Sequence, residues 1–568
     1  MDKLILLLLI STAFVVAQAK VVLPSYITDN MVVQRNSVMK ITGHASSGSK
    51  VNVIAGWDSR SREVKADSEG KFDISLDTPD AGGPYSIIIA DKDSKVKVGN
   101  VLSGELWLCS GQSNMEFPVE GWTSVMDADH VVSTARNPDI RLLQVKKRVA
   151  FSPQDDIETN MGGWVEAAPN TMDFSAIAYL YAKELRDSLK VPVGVIDATW
   201  GGTPAEAWTS YGFLKGVPGF EGELSAMESC GFDASRLREN YEKEMRAWMK
   251  FAQKGGEEIR PGDKLTGNVL PADYFERIGF GNGFDGIVWV QKEIDVPAED
   301  AGKPMTLKLG AIDDEDVTYL NGVDFSSLPK KPASIEGSSY PTVLYNAMIH
   351  PLRNLPIKGG LWYQGCANVG RAEQYETLFK SLINNWRDTW DSEFPFYFVQ
   401  LAGWLAPQSV QPDSEWAALR NAQSKALQLP NTAMVSAIDL GNPGDIHPRD
   451  KQTVAHRLAL TALGRDYGFD TNYKAPQCIS MQKMGNKIVL KFDDDLTVTS
   501  VAILGFIIGN ADGDFDQAVA RMADSRTLEL YSPLVKKPVC VRYDWADFPN
   551  GNLYSLHGIP VAPFATDK

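Results

Sequence analysis

Acyl transfer asks for a hydroxyl nucleophile, an imidazole to take its proton, and N–H donors for the oxyanion that forms. The chain has six histidines from which such a base can come: His44, His130, His350, His447, His456 and His557. His44 and His557 fall in terminal segments of short strands, His456 inside a helical pattern and His130 in an acidic, surface-like stretch. That leaves His350 and His447, each followed by proline, and His447 is the stronger candidate. It follows a predicted strand through a loop rich in Gly and Pro, and α/β proteins gather reactive groups at the carboxyl ends of parallel strands. Asp445 stands two residues before it, a carboxylate able to orient the imidazole and stabilise its protonated form. Asp-x-His in a loop is also an ordinary structural turn.

Ser113 occupies a matching position. Leu106-Trp107-Leu108-Cys109 reads as a buried strand that runs directly into Ser110-Gly111-Gln112-Ser113. Gly111 lets the backbone bend, so the Ser113 hydroxyl can be exposed at a strand-to-helix turn with its own N–H aimed at an oxyanion. The alternative is that Ser113 is a helix N-cap, and the two roles are compatible. Two further loops follow predicted strands, Trp200-Gly201-Gly202-Thr203 and Tyr363-Gln364-Gly365-Cys366-Ala367-Asn368. A glycine N–H and an asparagine amide are donor types that an oxyanion hole uses, although either loop could equally be a tight turn. The G-x-S-x-G elbow, the Walker A loop, G-x-G-x-x-G after a strand and H-E-x-x-H are all absent. The five cysteines are too scattered for a metal site or a disulfide scaffold, and no cofactor or metal is expected.

The elements that must hold these loops are legible from periodicity. Between residues 21 and 98, short alternating runs separated by Gly, Ser and Asp predict a small β-sandwich. Phe174, Ile177, Tyr181, Leu185 and Leu189 have helical spacing and precede a second buried strand at 193–197. Strand, helix, strand in this order predicts a parallel α/β sheet. Residues 222–256 are charged and helical in character. Runs at 287–296 and 305–312, with an Asn321-Gly322 turn, predict an inserted β-module. The α/β pattern then resumes. Strands are expected at 361–363, 396–401 and 433–438, and Tyr375, Leu378, Phe379, Leu382, Ile383 and Trp386 mark an amphipathic helix. From Cys478 onward alternating strands return.

The 568 residues imply several modules, and a net charge of -16 excludes the basic footprint that a nucleic-acid partner requires. Lys3, the apolar run that follows and Ala17-Gln18-Ala19 have the order of a cleavable leader over residues 1–19. Export to the periplasm or the medium is therefore expected, with no membrane span in the remaining chain. Several Trp and Tyr residues flank the candidate loops, which suits stacking on sugar rings.

In combination the motifs resemble a known family. Ser113, Gly202, Asn368 and His447 occur in the chain order of the four invariant positions of the SGNH hydrolases. More closely, the chain resembles the sialate O-acetylesterases. The similarity rests on Leu106-Trp107-Leu108-Cys109-Ser110-Gly111-Gln112-Ser113-Asn114-Met115-Glu116, Trp200-Gly201-Gly202-Thr203, the run from Pro341 to Leu352 and Asp445-Ile446-His447-Pro448. The tail from Val541 to Asp547 is similar too.

The resemblance implies a flavodoxin-like SGNH hydrolase domain with a parallel sheet, interrupted by a β-rich insert and flanked by small β-sandwich modules. The divisions expected are a leader at 1–19, a β-sandwich at 20–98 and hydrolase parts at 99–221 and 336–475. A helical linker with the insert fills 222–335, and a β-module 476–568. The implied activity is hydrolysis of O-acetyl esters of sialic acid. The alternatives are an acetylesterase acting on xylan or another plant glycan, and a non-catalytic glycan-binding protein on the same fold. By position Ser113 is the nucleophile, His447 the base and Asp445 its partner, with Gly202 and Asn368 in the oxyanion hole. Gln112, Trp200 and Gln364 are expected at the O-acetylated sugar.

Three features depart from the family pattern. Gly365-Cys366-Ala367-Asn368 stands where Gly-Glu-Ser-Asn is usual, which predicts altered support for the site. The carboxylate is two residues before the histidine, not the three common in the wider superfamily. The β-insert is shorter.

Overall fold

The computed structural model describes residues 21–256, 319–320, 323–324 and 337–568. The expected leader and the predicted strands at 287–296 and 305–312 lie outside the described residues. Tyr319–Leu320 and Val323–Asp324, on either side of Asn321-Gly322, pair antiparallel.

The molecule is organised around one strand, Lys95–Gly111, whose burial changes along its length. It begins half-exposed and is buried from residue 101 onward, the mark of a strand covered on both faces. Its first half pairs antiparallel with Gly82–Ala90 of the N-terminal module. Its second half pairs in parallel with Val193–Thr199 on one side and Gly359–Tyr363 on the other. The boundary expected between residues 98 and 99 thus falls inside a single strand. One hydrophobic core joins Val53 and Ile89 of the N-terminal module to Trp107 and Leu108.

Across the main sheet the order is Thr432–Ser436, Phe396–Gln400, Gly359–Tyr363, Lys95–Gly111, Val193–Thr199 and Asn137–Gln144. All of these neighbours are parallel, and Val165–Ala167 adds an antiparallel edge. The chain enters at the centre, builds one side, then crosses back to build the other. Connections from the central strand and from its neighbour leave in opposite directions, which opens a crevice at their carboxyl ends.

Packing explains why particular residues sit here. Trp107 is fully buried on the central strand, edge-on to Tyr181 at 5.2 Å and stacked on Tyr397 at 5.9 Å. Gly359 is its register partner, and a Cβ there would lie 2.4 Å from the indole ring, so the tryptophan takes the room that the glycine leaves. Helix Ala176–Leu189 is capped by Ser175, whose Oγ accepts from the Ala178 N–H at 3.2 Å. It packs on Lys451–Asp466, while Ala372–Trp390 packs on Glu415–Ser424. The apolar positions predicted from Tyr375 to Trp386 are all buried.

The C-terminal module has its own core around Ile488, Leu490, Phe492, Leu528, Leu530 and Val541. Its family-like tail docks on the hydrolase domain through Asp547, which accepts from Ser414 Oγ at 2.5 Å and donates its N–H to Gln411 Oε1 at 2.9 Å. No helix among the described residues is long and apolar enough to cross a membrane.

Candidate active site

The loops singled out by sequence all leave the carboxyl ends of the main sheet. Gly111 ends the central strand at φ +138°, a backbone region that favours glycine, and Ser113 then opens the one-turn helix Ser113–Glu116. The Ser113 side chain caps nothing there. Its Oγ instead lies 2.8 Å from Nε2 of His447, which is 334 residues later in sequence. His350, the other histidine considered, is elsewhere, with Nδ1 3.1 Å from the carbonyl of Gln154.

His447 is held from several directions. The Ile446 carbonyl accepts from Asn114 Nδ2 at 3.0 Å, and Asn114 Oδ1 accepts from the buried Lys451 ammonium at 2.6 Å. Arg449 donates from Nε to the Ser124 carbonyl at 2.8 Å. The imidazole and the Trp122 ring form a T-shaped pair with centroids 5.7 Å apart. Asp445 Oδ1 accepts the His447 backbone N–H at 2.9 Å and lies 3.4 Å from Nδ1. That carboxylate is half-exposed and turned mainly to the backbone, so its hold on the ring is weak.

Burial lowers the His447 pKa, Asp445 opposes the shift and Lys451 adds to it, which favours the neutral imidazole. Burial also pulls Lys451 down to about 7. Cys366, where the family has a carboxylate, is pushed up to about 12 by desolvation and is a neutral thiol.

A cavity of about 650 Å³ opens over this pair, lined by Gln112, Trp122, Lys147, Trp200, Gly202 and Cys366 among others. Glu116 fixes one wall: its Oε2 accepts the Gly201 N–H at 2.5 Å and its Oε1 pairs with Lys147 at 2.5 Å. Lys147 also lies 5.8 Å over the Trp200 ring. Neither the Ser113 N–H nor the Gly202 N–H has a hydrogen-bond partner among the described residues. Both are backbone donors in the wall of the cavity that holds the Ser113 hydroxyl.

Two expected site residues, Gln364 and Asn368, are not among those that line this cavity. Gln364 is fully buried, with Nε2 donating to Asn368 Oδ1 at 2.6 Å and Oε1 accepting from Tyr375 at 3.1 Å. It therefore braces the loop from behind and touches no substrate space. Asn368 is fully buried as well. Its Oδ1 accepts from the Ala205 N–H at 3.0 Å and its Nδ2 donates to Glu206 at 2.9 Å. Gln364 flanks the start of the short turn Cys366–Asn368, and Asn368 lies in it. Conversely, Trp122, Glu116 and Lys147 line the cavity without having been singled out for it. A tryptophan in the polar stretch Glu120-Gly121-Trp122-Thr123 was the available signal, since such a residue has no local core to enter.

A family model described as a carbohydrate esterase, sialic acid-specific acetylesterase, matches residues 332–463. Sialate O-acetylesterase of Mus musculus is 28% identical over 510 residues, covering 84% of this chain and 79% of that protein. The Homo sapiens protein of the same name is 28% identical over 480 residues, 78% of this chain and 71% of its own. The crystal structure of a novel carbohydrate acetylesterase from Xanthomonas citri superposes with a TM-score of 0.71 at 30% identity. That likeness spans 96% of this chain and 100% of the other. Fold, site and relatives converge: this chain belongs to the sialate O-acetylesterase family of carbohydrate esterases.

Proposed function

We propose that this chain removes O-acetyl groups from sialic acid through an acetyl-enzyme formed on Ser113. The observation that carries the mechanism is the 2.8 Å contact between Ser113 Oγ and His447 Nε2 beside two unpartnered backbone N–H groups. As Oγ bonds to the acetyl carbonyl carbon, its proton passes to His447 Nε2. The carbonyl π pair moves to oxygen, and that oxyanion accepts from the Ser113 and Gly202 N–H groups. Collapse breaks the bond between acetyl carbon and sugar oxygen, which takes the proton back from His447. Water, deprotonated by the same imidazole, then releases acetate and restores the serine.

Two features support a sugar as the leaving group, and an anionic one in particular. Trp122 and Trp200 both line the cavity, and aromatic rings are suited to stacking on a sugar. Lys147, ion-paired with Glu116 at 2.5 Å, has further N–H donors on the same wall that a sugar carboxylate can accept. The leader-like residues 1–19 support export, so that the enzyme meets glycans outside the cytoplasm.

Acetate released from 9-O-acetylated sialic acid and from acetylated xylo-oligosaccharides tests the substrate. Faster release from the sialic acid is expected. Release from the xylan fragments alone would transfer the assignment to plant glycans, and release from neither would reject catalysis and leave glycan binding.

The base also makes a pH prediction. Catalysis needs neutral His447, whose pKa lies below its ordinary 6.5, so kcat/KM should fall only on the acid side of that value. Asp445 raises this pKa, so Asp445→Asn should move the acid limb to still lower pH. Its kcat should fall by less than about tenfold, because the carboxylate is exposed and poorly aligned. A loss approaching ~10⁴ in the pH profile would show Asp445 to be a full triad member after all.

A further inference from the structure

We propose that Lys451 is a positioning residue for the transfer: through the Asn114 amide it locks the loop that carries His447 onto the turn that carries Ser113. The inference rests on acyl transfer at Ser113 as set out above. Lys451 opens the helix Lys451–Asp466, four residues after the base, and is fully buried. Its Nζ donates to Asn114 Oδ1 at 2.6 Å. An ammonium only donates, so this bond fixes which end of the amide is oxygen and which is NH₂. Asn114, next to the nucleophile and only 2% exposed, must then present Nδ2 to the Ile446 carbonyl, to which it donates at 3.0 Å. Ile446 directly precedes His447. The path Lys451–Asn114–Ile446 thus joins the two partners of the proton transfer, whose own contact is 2.8 Å.

The ammonium has few other holds. The Phe117 ring centroid lies 4.5 Å and the Tyr363 centroid 5.7 Å from Nζ, contacts that stabilise a buried cation. Cys366, which stands where a glutamate is usual in the family pattern, is a neutral thiol and supplies no counter-charge. Among the described residues, Asp445 and Asp450 attract Lys451 from beyond ion-pair contact. Burying a cation without a paired carboxylate costs free energy, and a charge kept there beside reacting groups marks a use for it. The same charge acts on His447, where it opposes protonation of the imidazole while Asp445 favours it.

Lys451→Met keeps an unbranched stem and removes both the donor and the charge. The expected result is a kcat about 10- to 100-fold lower, with KM within about threefold of native. The acid limb of kcat/KM should move to higher pH, because the lost charge is one that lowers the His447 pKa. That shift is opposite in sign to the one expected for Asp445→Asn. A lysine that only fills the core would change the unfolding temperature and neither of these readouts. Native kcat with an unmoved acid limb therefore overturns the inference.

Asn114→Asp tests the same path with Lys451 in place, and decides the matter if the methionine variant does not fold. The new side chain is nearly the same shape and still accepts from Lys451, now as an ion pair, but has no N–H for the Ile446 carbonyl. A kcat about 10- to 100-fold lower is expected again. The acid limb should also move to higher pH, since the carboxylate offsets the ammonium that depresses the His447 pKa. Turnover within about threefold of native overturns the inference. Ser113→Ala separates the two levels of argument. An active Ser113→Ala rejects the acyl-enzyme itself, whereas an inactive Ser113→Ala beside a fully active Asn114→Asp rejects only the path through the lysine.

Discussion

Changing Ser113 to alanine is expected to lower kcat on an acetyl ester by about 10⁴- to 10⁶-fold, and His447→Ala by a similar factor. The two losses should not add. Ser113 Oγ and His447 Nε2 are 2.8 Å apart and form one proton-transfer unit, so removing either disables both. The double variant should retain about the same residual activity as either single one, with the remainder coming from the N–H donors and from substrate binding. A sugar acetate is the proper substrate for this cycle, because its leaving group needs a proton from His447. An activated phenyl ester leaves unaided and would understate the histidine. Losses that multiply, or a His447→Ala variant with a tenth of native turnover, would mean that the base lies elsewhere.

The second large effect is on folding and falls at Gly111. With φ at +138°, any other residue is strained there, and a Cβ would stand 2.2 Å from the Tyr363 carbonyl oxygen. That oxygen belongs to the adjacent strand and accepts the Gln112 N–H at 3.0 Å, so it cannot move aside as a flexible side chain would. Gly111→Ala is expected to cost about 2–6 kcal/mol, the sum of backbone strain and overpacking. Gly202→Ala makes the contrast. Its φ is also positive, at +72°, but nothing lies within 4 Å of the added methyl, and a loss of only about 1 kcal/mol is expected. Urea unfolding of the two variants checks the pair. Equal losses would show that the close approach to Tyr363 is relieved at no cost.

Both predictions fall on residues that are legible in sequence, and the reason is local. A strand that ends in Gly111 and a serine two residues on, or a strand followed by a Gly-rich loop and a histidine, are patterns written within a dozen positions. The alternation that predicts the N-terminal strands and the three- and four-residue spacing of Ala372–Trp390 are equally local. Burial of one face then obliges the chain to follow them. The resemblance added the grouping of Ser113 with His447, which no local pattern contains.

What spacing did not reveal is the direction of side chains whose partners are far along the chain. Gln112 and Asn368 are both amides in loops after strands, and nothing local says which faces the cavity. Gln112 is turned by Gly365 and Ala367, more than 250 residues away, and Asn368 by Ala205 and Glu206, more than 160 residues away. Each buried amide must match its oxygen to donors and its nitrogen to acceptors, and those groups meet only when the sheet has assembled. Ser113 is the counterpart. Its place at the end of the central strand was settled by the sequence, while its release from a capping role into contact with His447 was decided by the fold. The physical reason is that neighbouring residues set backbone period, whereas hydrogen-bond partners are set by whatever the finished structure brings within 3 Å.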